Sequence, residues 1–139
     1  MNEDWNQEFK RLKFPTIEAF LSNVNKDYSE FNIVIGKSVN EYPKYLIKFD
    51  GYLSYKSHEE TGCEFDSFVL DGALKDTNSV FLEESDWLNS MSSAIEFLYQ
   101  NKTVRHFVFA GGDNVVEVVS DSEPKVTIIH GPQSYEYKI

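Results

Sequence analysis

The sequence is short of cysteine and of long apolar runs. Cys63 is the only cysteine among 139 residues, so no disulfide can form within the chain. A reducing compartment is therefore expected. No apolar run approaches the roughly 18 residues that indicate a transmembrane helix, and the first residues are acidic where a secretory signal is basic. These features predict a cytoplasmic protein with no membrane partner.

Basic residues are also scarce. The chain has 13 Lys and Arg against 23 Asp and Glu, a net charge of −10. Residues 51–100 alone have ten acidic and two basic residues, a net charge of −8, whereas the segments on either side carry −1 each. Such a field repels nucleic acid and attracts basic partners. Apolar residues make up 41% of the chain, which is enough for a core and indicates one domain over residues 1–139.

Residues 104–120, VRHFVFAGGDNVVEVVS, have the pattern of a β-hairpin with a turn at Gly112-Asp113. That turn pairs Phe109 with Val116 and Phe107 with Val118. Residues directly opposite each other in an antiparallel pair share a face, so these four form one apolar face. His106 falls on the mixed opposite face. A slip of one residue would scatter the apolar set, so the turn and the pattern predict one register, over Val104–Ala110 and Val115–Ser120.

Alternating apolar residues predict further strands at Phe31–Ile35 and Lys125–Ile129. The longest alternation predicts a strand over Tyr45–Tyr55, buried on one side, with a bend or bulge at Gly51. Its apolar face consists of Tyr45, Ile47, Phe49, Leu53 and Tyr55. A return strand at Glu64–Leu70 and an edge strand through Tyr135, Tyr137 and Ile139 complete the predicted strands.

Helical spacing appears near the N-terminus and again around residues 85–99. Trp5, Phe9 and Leu12 predict a short helix, and Thr16 is expected to cap a second helix that runs to about Lys26. The apolar stripe of this second helix is Ile17, Phe20, Leu21 and Val24. Ser85 is expected to cap a helix at Asp86–Met91, followed by another at Ala94–Tyr99. The predicted fold class is α+β: a single domain with a largely antiparallel β-sheet and the N-terminal helices packed on one face.

Candidate chemistry is sparse. His58 and Cys63 flank a polar turn, but a structural zinc site needs four ligands and the chain has one Cys and three His. Acidic neighbours disfavour the thiolate that Cys63 would need as a nucleophile. We therefore predict no catalytic residue, no metal and no cofactor. A small hydrolase that uses Cys63 or carboxylates of the middle third is the alternative, and a structural subunit of a larger assembly is another.

A binding face is the remaining candidate. Tyr52, Ser54 and Lys56 are expected on the polar side of the long strand, and acidic residues follow at its end. Aromatic side chains among charged neighbours are common at protein interfaces, so Tyr52 is the expected anchor. The predicted partner-binding residues are Asp50, Tyr52, Glu59, Glu60, Glu64 and Asp66.

Two runs, FDGYLSYKSHEE at Phe49–Glu60 and HFVFAGGDNVVEVVSDSEPKV at His106–Val126, resemble a group of small uncharacterised bacterial proteins. In size and acidity the chain also resembles immunity proteins, which neutralise secreted bacterial toxins. This resemblance implies a non-catalytic protein-binding module whose partner is a basic toxin, and it carries over no catalytic residue. An inhibitor that mimics DNA follows the same electrostatic logic and stays open as an alternative.

Overall fold

The computed structural model describes residues 16–25, 28–37, 41–59, 78–100, 102–111 and 114–131. These ranges contain eight strands and two short helices. The strands are β1 (Thr16–Asn25), β2 (Tyr28–Gly36), β3 (Lys44–Phe49), β4 (Ser54–Glu59), β5 (Ser79–Leu82), β6 (Arg105–Gly111), β7 (Asn114–Ser120) and β8 (Lys125–Ile129). The helices are α1 (Asp86–Ser90) and α2 (Ser92–Leu98).

The strands form two antiparallel four-stranded sheets, which correct the predicted fold class. The first sheet has the order β1-β2-β3-β8 and the second β4-β7-β6-β5. The two sheets share one buried core, to which the first contributes Phe31, Ile33, Ile35, Ile47 and Phe49 and the second Phe107, Phe109, Val116 and Val118. The α+β prediction, with N-terminal helices on one face of a sheet, is wrong because the second sheet occupies that position.

The largest error concerns the predicted helix from Thr16 to about Lys26, which is strand β1. Its sequence fits two periods, because Ile17, Ala19 and Leu21 also alternate as a strand requires. In the structure Ile17 and Ala19 pack against the core, and β1 pairs along its length with β2. Pairing with a neighbouring strand therefore overrides the helical spacing. The predicted helix through Trp5, Phe9 and Leu12 lies outside the described residues.

The hairpin prediction is confirmed. Phe109 pairs with Val116 and Phe107 with Val118, and all four side chains are buried in the core. The strands at Phe31–Ile35 and Lys125–Ile129 are also confirmed, within β2 and as β8. Strand β5 was not predicted. The predicted strands at Glu64–Leu70 and through Tyr135 to Ile139 lie outside the part of the chain that the structure describes.

The long predicted strand is real but bends between two sheets. Strand β3 lies in the first sheet and β4 in the second, and the chain turns between them at Gly51, as predicted. Strands β7 and β8 make the same crossing, so 44–59 and 114–129 form one bent ribbon in a single register. The pairs are Lys44–Ile129, Lys48–Lys125, Ser54–Val119 and Glu59–Asn114. At the bend the Ser120 hydroxyl donates to the Gly51 carbonyl.

The bend changes the predicted core at one position. Ile47 and Phe49 are buried, and Tyr45 packs against the same cluster. Leu53 instead packs on the other side of the second sheet, with Leu88, Val104 and Val119. A strand that leaves one sheet for another rotates its side chains, so strict alternation does not continue through residues 50–53.

Helices α1 and α2 cover this outer side of the second sheet. Leu88 is buried there, and Met91, Ile95 and Tyr99 pack against the same cluster. Both helices were predicted, and Ser85 caps α1 as expected, with its hydroxyl accepting from the Leu88 N–H at 3.1 Å. Within the described ranges, no helix has both the length and the apolar character needed to span a membrane.

Candidate functional site

The structure describes only part of the predicted binding face. Asp50 is exposed, Tyr52 is half-buried and Glu59 ends strand β4, whereas Glu60, Glu64 and Asp66 lie outside the described residues. The predicted role of this set therefore stays a prediction.

Tyr52 has a different environment from the polar strand face expected for it. Its ring packs against the core, 5.9 Å from the ring of Phe31 and 5.7 Å from the ring of Tyr55, measured between centroids. Tyr55 in turn stacks on Phe31 at 4.5 Å. These contacts cover part of the Tyr52 ring. Tyr52 therefore exposes less surface to a partner than a residue on the polar face of the strand would.

Asp50 is paired with another acid. Burial raises the pKa of Glu30, and a hydrogen bond to Asp50 and the negative charge of Asp50 raise it further, against the opposing charge of Lys48. Lys48 lies 3.7 Å from the Glu30 carboxylate. Burial and the like charge of the neighbouring carboxylate both disfavour the ionised form of Glu30.

The densest polar cluster in the described residues surrounds Glu117, on the outer side of the second sheet. His106 Nε2 lies 2.6 Å from one Glu117 carboxylate oxygen and His58 Nε2 lies 2.5 Å from the other. His106 and Glu117 are fully buried, and the His58 side chain is 20% exposed. Because β7 is the middle strand of the three, Glu117 lies between β4 and β6 and bridges both imidazoles.

Hydrogen bonds join the members of this cluster. A carboxylate only accepts, so both Nε2 atoms donate to Glu117. The Ser85 hydroxyl lies 2.9 Å from His106 Nδ1 and already accepts from the Leu88 N–H. It is therefore shared between the cap of α1 and the His106 ring. Hydrogen bonds and one ion pair thus connect α1 through β6 and β7 to β4 in a cluster that we call the Glu117 network: Ser85, His106, Glu117, His58 and Lys56.

Lys56 and Trp87 complete the cluster. The Lys56 ammonium lies 3.6 Å from Glu117 and 4.3 Å above the centre of the Trp87 ring. The same ring meets the edge of His106, with centroids 5.0 Å apart. Aromatic and cation–π contacts of this kind are worth about 0.5–1.5 kcal/mol. These contacts of Trp87 hold the start of α1 against the second sheet.

Electrostatics keep Glu117 ionised. Burial acts to raise the pKa of its carboxyl group, but the hydrogen bonds from His106 and His58, with the charges of His106 and Lys56, outweigh burial and hold the pKa below its ordinary value. A buried carboxylate is tolerated when it is paired and hydrogen-bonded, and here two donors and an ammonium surround it.

The order Ser85, His106, Glu117 is that of a nucleophile, a base and an acid. The Ser85 oxygen, however, is buried and already serves as the cap of α1. The cluster is also a poor metal site, because the Nε2 atoms of both imidazoles are already hydrogen-bonded to the Glu117 carboxylate. No group of three potential ligands among the described residues could hold a metal ion. The arrangement is best suited to joining β4, β6, β7 and α1.

A second feature is the acidic surface of residues 78–100. This range contains Glu83, Glu84, Asp86 and Glu96, all exposed, and no Lys or Arg. Glu83 pairs with Arg105 at 3.2 Å. In the same range Phe97 is 78% exposed and Leu98 is 57% exposed, both at the end of α2. We call Glu84, Asp86, Glu96, Phe97 and Leu98 the helical surface.

The sequence contained part of the signal for these features. The hairpin register places His106 and Glu117 on one face, diagonally across the β6–β7 pair. Lys56 and His58 reach them through the β4–β7 pairing, which joins residues about 60 positions apart. Leu98 continues the helical spacing of Met91 and Ile95 but is exposed at the end of α2. No protein-family model, curated protein or solved structure matches the chain.

Proposed function

We propose that the protein is a non-catalytic binding module that recognises a basic protein. In its most specific form the proposal is an immunity function, in which the chain holds a basic bacterial toxin inactive in the cytoplasm. The observation that carries the proposal is the charge of residues 78–100, four exposed acidic side chains with no basic residue, within a chain of net charge −10.

Toxins that cleave nucleic acid bind phosphate backbones through clusters of Lys and Arg. Carboxylates presented to such a cluster accelerate association and make it sensitive to salt. The single cysteine supports a reducing compartment. The engagement of Ser85 as a helix cap supports a non-catalytic role.

The test uses the polypeptide encoded immediately upstream of this gene as the candidate partner. Binding is measured by calorimetry at 50 and 200 mM salt (about a fourfold range, wide enough to reveal charge dependence). A triple variant, Glu84→Lys, Asp86→Lys and Glu96→Lys, should bind much more weakly than wild type. The matched control reverses the exposed acids Glu18, Glu41 and Glu123, which lie elsewhere in the chain.

Each outcome decides between the alternatives. If the upstream polypeptide is acidic, or does not bind, the immunity proposal is wrong. Equal weakening in both triple variants would mean that net charge matters and residues 78–100 do not. Binding that displaces DNA from the partner without inhibiting a toxic activity would favour a DNA-mimicking inhibitor.

A further inference from the structure

Helix α2 exposes two adjacent apolar side chains whose exposure the fold does not explain. Phe97 is 78% exposed and Leu98 is 57% exposed. The helix nevertheless has a buried side, because Met91 and Ile95 pack against the cluster on the second sheet. Phe97 follows Ile95 by two positions and so points away from that cluster, since residues two apart lie on opposite sides of a helix.

The other large exposed hydrophobic side chains of the described residues have structural reasons. Tyr55 stacks on Phe31, as described above. Leu21 and Ile128 lie on the edge strands β1 and β8, in register with Phe31 and Tyr45 respectively. Each of them continues, on an edge strand, a row of apolar residues that runs across the sheet on the core side. Single exposed hydrophobics are ordinary, but an adjacent aromatic and aliphatic pair on a surface helix is typical of an interaction site.

We propose that Phe97 and Leu98 are the apolar anchor of the partner interface and insert into an apolar pocket bordered by Lys and Arg on a basic protein. This inference rests on the proposed function and names the surface that performs it. The charge of the segment that contains the pair argues for this occupant. Glu96 is the adjacent residue, Glu84 precedes the cap of α1, Asp86 is the first residue of α1, and no basic residue occurs between positions 78 and 100.

The composition of the helical surface matches the usual division of an interface. Aromatic side chains enclosed by the partner supply most of the binding energy, while the charged rim excludes water and sets orientation. Phe97 therefore controls dissociation, whereas Glu84, Asp86 and Glu96 control the association rate and its salt dependence.

The helical surface is also held rigidly where it begins. Ser85 caps α1 and bonds to His106, and Trp87 packs between His106 and Lys56. A surface fixed before binding loses less conformational entropy when a partner docks. The Glu117 network thus supports recognition without contacting the partner, and its residues are positioning residues.

The experiment measures binding kinetics of the upstream-encoded polypeptide to wild type and to Phe97→Ser and Leu98→Ser by surface plasmon resonance. We expect Phe97→Ser to weaken binding about 10- to 100-fold, equivalent to about 1.4–2.8 kcal/mol, mainly through faster dissociation. Leu98→Ser should have a smaller effect in the same direction. Both variants should keep the wild-type melting temperature, because the side chains they replace are exposed.

Ile128→Ser is the matched control, since Ile128 is 50% exposed but lies on β8 in the other sheet. Its binding should stay within about twofold of wild type, a change of about 0.4 kcal/mol. If wild type and the control bind but Phe97→Ser binds equally well, the anchor is wrong and the proposed function stands. If wild type does not bind, the proposed function fails and this inference falls with it. If Phe97→Ser weakens binding while charge reversal does not, the surface is right and the basic partner is wrong.

Discussion

Replacing Glu117 by Gln tests whether the buried network stabilises the fold. Gln preserves the shape of the side chain but removes its charge and turns one acceptor into a donor. Both imidazoles donate to this carboxylate, at 2.6 Å from His106 and 2.5 Å from His58. In the variant the amide oxygen can accept from only one of them, and the amide nitrogen faces the other.

The size of the effect follows from burial. His106 is fully buried and cannot reach water, so the Gln oxygen turns to it, and that bond weakens from a charge-assisted to a neutral one, costing about 1 kcal/mol. His58 is 20% exposed and can turn towards solvent, so losing its bond costs about 1–2 kcal/mol. We expect a total loss of about 2–3 kcal/mol, out of about 5–15 kcal/mol for a typical domain. The melting temperature should fall by about 6–9 °C.

The effect should depend on pH, with a definite sign. The pKa of Glu117 is held below its ordinary value in the folded protein, despite burial, chiefly by the hydrogen bonds from His106 and His58. Its stabilising contribution is therefore present above the unfolded-state pKa and lost as pH falls through the lowered folded-state value. The difference between wild type and Glu117→Gln should shrink from about pH 5 downward.

The assay is urea unfolding at pH 7, 5 and 3.5 (values on either side of about pH 4.3, where a free Glu titrates), followed by tryptophan fluorescence. Trp87 contacts His106 and reports on the network. Glu18→Gln, an exposed change on β1, is the control and should stay within about 0.5 kcal/mol of wild type. A loss below about 0.5 kcal/mol for Glu117→Gln at pH 7, or a loss independent of pH, would refute this account of the network.

Three further substitutions follow from the structure. Ser85→Ala removes the cap of α1 and the hydroxyl that hydrogen-bonds His106 Nδ1, and should lower the free energy of unfolding by about 1–2 kcal/mol in urea. Gly111→Ala would place a Cβ 2.8 Å from a side-chain carbon of β1, so we expect a loss of about 1–3 kcal/mol and a lower melting temperature by circular dichroism. Asp50→Asn removes the acid beside Glu30, whose raised pKa has burial as its largest cause and Asp50 as the next. It should stabilise the fold at pH 7 by about 0.5 kcal/mol or less, because solvent screens the pair, and the gain should vanish near pH 3 (roughly a unit below the free carboxyl range). An unchanged midpoint in Ser85→Ala or Gly111→Ala would contradict the corresponding contact, and a lower midpoint in Asp50→Asn at pH 7 would contradict repulsion between Asp50 and Glu30.

Local signals were enough for part of the fold. The turn at Gly112-Asp113 and the alternation on both sides of it predicted the β6–β7 register, and Gly111 does pair with Asn114. Ser85 preceded an apolar pattern and caps α1. In each case the information lies within a few residues, so neighbouring positions suffice to specify hydrogen bonds.

In the candidate site, local sequence patterns predict only one of the contacts. The hairpin register alone brings His106 and Glu117 onto one face, and this could have been read from the sequence. The additional partners could not, because Ser85 precedes His106 by 21 residues and His58 lies 59 residues before Glu117. Their approach depends on which strands become neighbours, and alternation within a strand does not encode its neighbour.

Strand β1 shows most clearly the difference between what the sequence determines and what the tertiary structure determines. The sequence determined that Ile17 and Leu21 belong to an apolar face, but that face fits both a helix and a strand. The tertiary structure decided for the strand, since β2 offers a backbone partner to nearly every residue of β1 and the core accepts Ile17 and Ala19. Helix propensity contributes only fractions of a kcal/mol per residue, whereas pairing and burial together contribute more at each position.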